Sequence, residues 1–158
     1  MAPAFHSFPD MLRFDPLSGD NGPNFFGHAW NTATYVVHHP EFGWVAFGGN
    51  IATEGSTVRV TPLDSFRTRV YLASHGLWLT LDAGKFESVE VNTQTGAVRV
   101  GLAPANQFTP TARLRVEQPA RMKNVGLYRP SKPLKSERGA FVVPLGDEIT
   151  WVELTPQP

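Results

Sequence analysis

Cysteine is absent from the chain. A disulfide framework, thiol catalysis and thiolate-bound zinc are therefore excluded. Charge is sparse and balanced: fourteen Lys and Arg face fourteen Asp and Glu, so the formal net charge is zero. The attraction that dominates non-specific nucleic-acid affinity is missing, and nucleic acid is not expected as a partner. No apolar run approaches the roughly 20 residues needed to cross a bilayer, so no membrane partner is expected. The opening MAPAFHSFPDMLRFDPLSGD lacks a basic n-region and an unbroken apolar h-region, so it does not read as a signal peptide and leaves localisation open. No amphipathic stretch of helical length occurs either.

What is present reads as β-structure. Fourteen Gly and fourteen Pro in 158 residues, with 41% hydrophobic residues, indicate one domain with many turns. Residues 1–32 carry Pro3, Pro9, Pro16 and Pro23 without a dependable period. Their Phe5, Phe8, Met11, Leu12 and Phe14 are too apolar for a free linker, so a lead-in packed on the domain is expected. Residues 33–158 are expected to form the domain itself.

Ten short β-rich runs follow: ATYVVH, GWVAFG, TVRVTP, RVYLA, LWLTLD, FESVEVN, AVRVGLA, ARLRVEQ, AFVVP and TWVELT. Gly, Pro, Asn, Asp or Ser bounds each of them. The pattern predicts an all-β, antiparallel two-sheet β-sandwich, jelly-roll-like, with nine or ten short strands and little or no helix. A two-residue turn at His75 and Gly76 would pair Ala73 with Trp78, Tyr71 with Thr80 and Arg69 with Asp82. Val70, Leu72, Leu79 and Leu81 then share the other face. A second hairpin, with TQTG at its tip, pairs Val91 with Val98, Val89 with Val100 and Glu90 with Arg99. In TARLRVEQ, Leu114 and Val116 point inward. Residues 119–138, with three Pro and six Lys or Arg, read as a long surface connection.

Residues 25–50 hold three His, two Trp and four Phe. Adjacent His38 and His39 point to opposite faces of a strand and are poor joint ligands for one ion, so neither a metal site nor a cofactor is expected. No serine sits in a Gly-x-Ser-x-Gly elbow. The acids that can be placed, Asp82, Glu90 and Glu117, fall beside arginines as surface ion pairs. Tyr71 with His75 as acid and base is a lyase-like alternative carried by two residues near one turn. Tyr71 and Trp78, on one face near a turn, are more informative. Such rings either form a platform for sugar rings or lie beneath a covering segment. Tyr35, Val37, Trp44 and Ala46 are expected in the inner packing, with His28, Trp30, Asn31 and His39 nearer an edge.

Three longer phrases, GPNFFGHAWNTATYVVHHPEFGWVAFGGN, FRTRVYLASHGLWLTLDAGKFESVEVN and ERGAFVVPLG, add a resemblance. They resemble the C-terminal β-domain of a largely uncharacterised family of large microbial glycoside-hydrolase-like proteins whose main body is an α/α toroid. The similarity runs over about residues 15–154. It implies that the catalytic acid and base lie in the toroid and that no catalytic residue carries over onto this chain. The expectation is a non-catalytic accessory domain that packs on a catalytic domain and binds a polysaccharide or oligosaccharide weakly. Its glycan-binding candidates are Trp78, Tyr71, Trp30, His28 and Asn31. The alternatives are a free-standing jelly-roll enzyme, metal-dependent or lyase-like, and a structural module without ligand.

Overall fold

The computed structural model describes residues 32–119 and 125–157. Two β-sheets pack face to face as a sandwich. Thirteen strands occur among the described residues: β1 (Ala33–His39), β2 (Gly43–Phe47), β3 (Gly49–Glu54), β4 (Thr57–Pro62), β5 (Arg69–Leu72), β6 (Leu77–Ala83), β7 (Phe86–Asn92), β8 (Val98–Leu102), β9 (Thr111–Glu117), β10 (Leu127–Pro130), β11 (Lys135–Glu137), β12 (Ala140–Pro144) and β13 (Thr150–Gln157). The first sheet has the order β11-β12-β9-β6-β5-β1-β2 and the second β10-β13-β8-β7-β4-β3. Neighbours are antiparallel except β1 and β5, which run parallel. Among the described residues no helix is long and apolar enough to cross a membrane.

The alternation of side chains along each strand builds the core. In TVRVTP, Val58 and Val60 turn inward while Arg59 and Thr61 stay outside, and β7 and β8 repeat this with Val89, Val91, Val98 and Val100. From the first sheet come Val36, Val70, Leu72, Leu77, Leu79, Leu81 and Leu114. Removing each such side chain from water stabilises the fold by roughly 1.5–3 kcal/mol before entropy is counted.

The β7–β8 hairpin has the predicted register, with Val89 opposite Val100, Glu90 opposite Arg99 and Val91 opposite Val98. The β5–β6 hairpin does not. Tyr71 faces Trp78 and Leu72 faces Leu77, because residues 73–76 make a longer turn: a 3-10 segment, Ala73–His75, closed by Gly76 at φ 60°. The slip is two residues, so every side chain keeps its predicted face.

Two other expectations need correction. Trp44 and Ala46 pack on the core together with Val36, but Tyr35 and Val37 lie on the opposite face, opposite Phe47 and Val45. Ala33, Tyr35 and Val37 make the more apolar face of β1, whereas Val36 shares its face with Thr34 and His38, so alternation alone points to the wrong side. Residues 119–138 are also not one connection, since β10 and β11 both fall within them.

Candidate functional site

On the side of the first sheet turned away from the core, the register aligns Phe47, Tyr35, Tyr71, Trp78 and Glu117 across β2, β1, β5, β6 and β9. The Tyr71 and Trp78 rings are stacked at 4.6 Å between centroids and 29° between planes. Tyr35 meets both edge-on at 6.0 Å. The Arg69 guanidinium lies over the Trp78 ring, 4.2 Å from its centroid. In the next row Arg115 donates from Nε to the Asp82 carboxylate at 2.6 Å.

These rings are buried although the core lies beneath the other face. Relative exposure is 1% at Tyr35, 2% at Tyr71 and 0% at Trp78. The Trp78 Nε1 hydrogen is buried and has no acceptor among the described residues, an arrangement that costs about 1–3 kcal/mol and that surrounding ring contacts must offset. A sugar stacks on a ring face that water reaches. Trp78 and Tyr71 are thus brought together as predicted, but they serve as packing and do not form an open platform. Of the other glycan-binding candidates, Trp30, His28 and Asn31 lie outside the described residues.

The three described histidines are each engaged locally. His38 stacks edge-on against Trp44 at 5.1 Å. His39 accepts at Nδ1 from the backbone N–H of Glu41 and of Phe42, closing the β1–β2 turn. His75 shares a 2.8 Å hydrogen bond between Nδ1 and Ser74 Oγ, and its ring meets Tyr128 edge-on. Burial holds the His75 imidazole below its usual value and pushes the Tyr128 phenol up to about 12. The Tyr128 hydroxyl donates to the Gly96 carbonyl. His75 thus contacts Ser74 and Tyr128, and the Tyr71 ring packs on Tyr35 and Trp78. Among the described residues no group of three His, Asp or Glu side chains is arranged to hold a metal ion.

One end of the sandwich has a different character. The antiparallel pairings bring the connections 63–68, 84–85, 103–110 and 145–149 to this end. Backbone hydrogen bonds from Ala105 to Gly146 and from Leu145 to Pro110 tie two of them together. Arg67 anchors a third by donating from Nη1 to the Ala33 carbonyl at 2.6 Å. Large apolar side chains stand in water here: Leu63 (60% exposed), Phe66 (77%), Phe108 (84%) and Ile149 (42%). The sequence reading passed over all four because they sit in loops, outside any strand period.

Trp151 on β13 was also passed over. It shares the outward parity with Glu153, alternating with the inward Val152 and Leu154, so the pattern Trp-Val-Glu-Leu carried the signal that this tryptophan faces outward.

No curated protein and no solved structure matches the chain. A family model does, over residues 1–152, and the chain belongs to that family, DUF5695, a family of unknown function.

Proposed function

We propose that the chain is a non-catalytic accessory β-sandwich domain of a carbohydrate-active enzyme, seated on the catalytic domain through its loop end. The observation that carries this reading is the collection of Leu63, Phe66, Phe108 and Ile149 at that end. Four of the six exposed large apolar side chains among the described residues stand at this one end, and exposed apolar groups concentrated in this way favour association with another protein surface. β1 starts at the same end, because it runs parallel to β5 from Ala33 beside Arg69. The resemblance to domains that follow a glycoside-hydrolase-like toroid supplies the class of parent enzyme. Three acids are held by cations, which fits a non-catalytic role for them: Glu90 is bound by Arg59 and Arg99, Asp82 by Arg115, and Glu137 by Arg113 and Lys135.

The test uses the parent enzyme. Phe66→Ser combined with Phe108→Ser should loosen the interface and lower the protease resistance and Tm of the full-length protein. The isolated chain carrying the same two exposed changes should lose no more than about 0.5 kcal/mol per site. Full-length protein that melts and resists protease as before would remove the loop end as a docking surface. Turnover of any polysaccharide by the isolated chain would overturn the non-catalytic assignment.

A further inference from the structure

We infer that the outward face of the second sheet is a binding strip for a neutral polysaccharide, with Trp151 as its stacking ring. The ligand class rests on the accessory-domain reading, while the strip itself rests on geometry that reading does not use. Two parallel rows cross the face. In one, Asn50 pairs with Thr61, Val60 opposite Val89 sets Thr61 beside Ser88, Ser88 pairs with Gly101, and Gly101 pairs with Trp151. In the other, Ala52, Arg59, Glu90, Arg99 and Glu153 follow one another across β3, β4, β7, β8 and β13.

The first row is small and polar until it reaches the ring. Gly101 is the residue that admits it: a Cβ there would come within 2.9 Å of the distal carbons of the Trp151 indole. Gly101 is not in the left-handed region, so close neighbours account for the absent side chain: the ring first, and then the Ser88 carbonyl, 3.3 Å from where a Cβ would stand. The Arg99 guanidinium sits over the ring, 4.2 Å from its centroid, holds its orientation and occupies that face, so a sugar would stack on the other one. Trp151 keeps 38% of its surface in water, unlike Trp78. An aromatic ring held in place and partly in water, in one row with the exposed Asn50 and Thr61 across the buried Ser88, matches the amphipathic character of a sugar: C–H patches for the ring and hydroxyl groups for Asn50 and Thr61.

The second row selects for neutral ligands. Glu90 accepts from Arg59 Nε at 2.9 Å and from Arg99 Nη1 at 3.0 Å. Both guanidiniums are thus already paired, and two Arg against two Glu leave the row without net charge. An acidic chain would meet no unpaired cation here. From β3 to β13 the strip crosses five strands, about 19 Å at the usual spacing, which suits a short run of sugar units lying across the strands.

The experiment is affinity electrophoresis of the intact chain through gels containing neutral polysaccharides (mixed-linkage β-glucan, xylan, galactomannan) or acidic ones (pectate, alginate). Retardation is expected in at least one neutral gel. Trp151→Ala should weaken it at least about tenfold, and Gly101→Val, which displaces the ring, should weaken it as well, with near-native circular dichroism in both. Phe66→Ser with Phe108→Ser should leave retardation unchanged. Absence of retardation in every neutral gel, retardation confined to acidic gels, or Trp151→Ala migrating like wild type would each overturn the strip. The docking of the loop end would be untouched by any of these results, because its test reads the stability of the full-length protein.

Discussion

Trp78 and Trp151 show how differently one residue type is used. Trp78 is enclosed by Tyr71, Tyr35 and Arg69, so Trp78→Ala should cost about 3–5 kcal/mol in urea unfolding. Trp151→Ala, at a partly exposed ring, should cost no more than about 1 kcal/mol. The sequence made it legible that Trp78 and Tyr71 share a face. It did not make their burial legible, because period-two alternation reports parity and is silent on what lies above the outward parity. His75 supports a prediction about pH. Its folded-state value is depressed by burial, so below about 6.5 the unfolded chain binds more protons than the folded one. Its contribution to stability is therefore complete above that pH and declines as the pH falls toward the lower folded value. Urea midpoints measured between pH 7.5 and 5.5 should drop less for His75→Phe, which retains an aromatic edge for Tyr128, than for the wild type. Equal drops would show that this imidazole is protonated freely in the fold.

At the scale of elements, the strands that escaped the sequence reading share one property. β3, β10 and β11 are all edge strands, and they make up three of the four sheet edges. An edge strand has a neighbour on one side only and is protected by polar, glycine or proline residues, so its apolar alternation is weak. GNIATE, LYRP and KSE fit that description. Central strands such as β4, β7 and β8 were legible because each sets at least two buried Val or Leu at alternate positions. Turn chemistry separated the two hairpins that had been assigned a register. At the β7–β8 tip, Asn92 Oδ1 accepts from the N–H groups of Gln94 and Thr95 at 2.9 Å each. Gly96 takes φ 79°. Asn92→Ala should cost about 1 kcal/mol, seen as a lower denaturation midpoint without a change in m. At the β5–β6 tip, His75-Gly76 resembled a two-residue turn, but Gly76 instead closes the 3-10 segment before it.

For the whole molecule, the all-β two-sheet sandwich was legible in composition and period, whereas the order of strands was not. The chain alternates between sheets largely in hairpin units: β1–β2 in the first, β3–β4 in the second, β5–β6 in the first, β7–β8 in the second. Each hairpin is specified locally by its turn. The seams that join hairpins, such as β4 with β7 and β6 with β9, are specified by contacts distant in sequence. No short motif encodes them.

The parallel seam sets an order of events. Residues 33–36 are held beside residues 69–72, and this seam closes only after the chain has left for the other sheet, folded back through β3 and β4, and returned. Loop closure of that kind is slow compared with forming a local hairpin. On refolding, amides of β7 and β8 should therefore acquire protection from hydrogen exchange before those that bridge β1 and β5. During synthesis β1 emerges before any other described strand, yet it must wait for β5 before the seam can form.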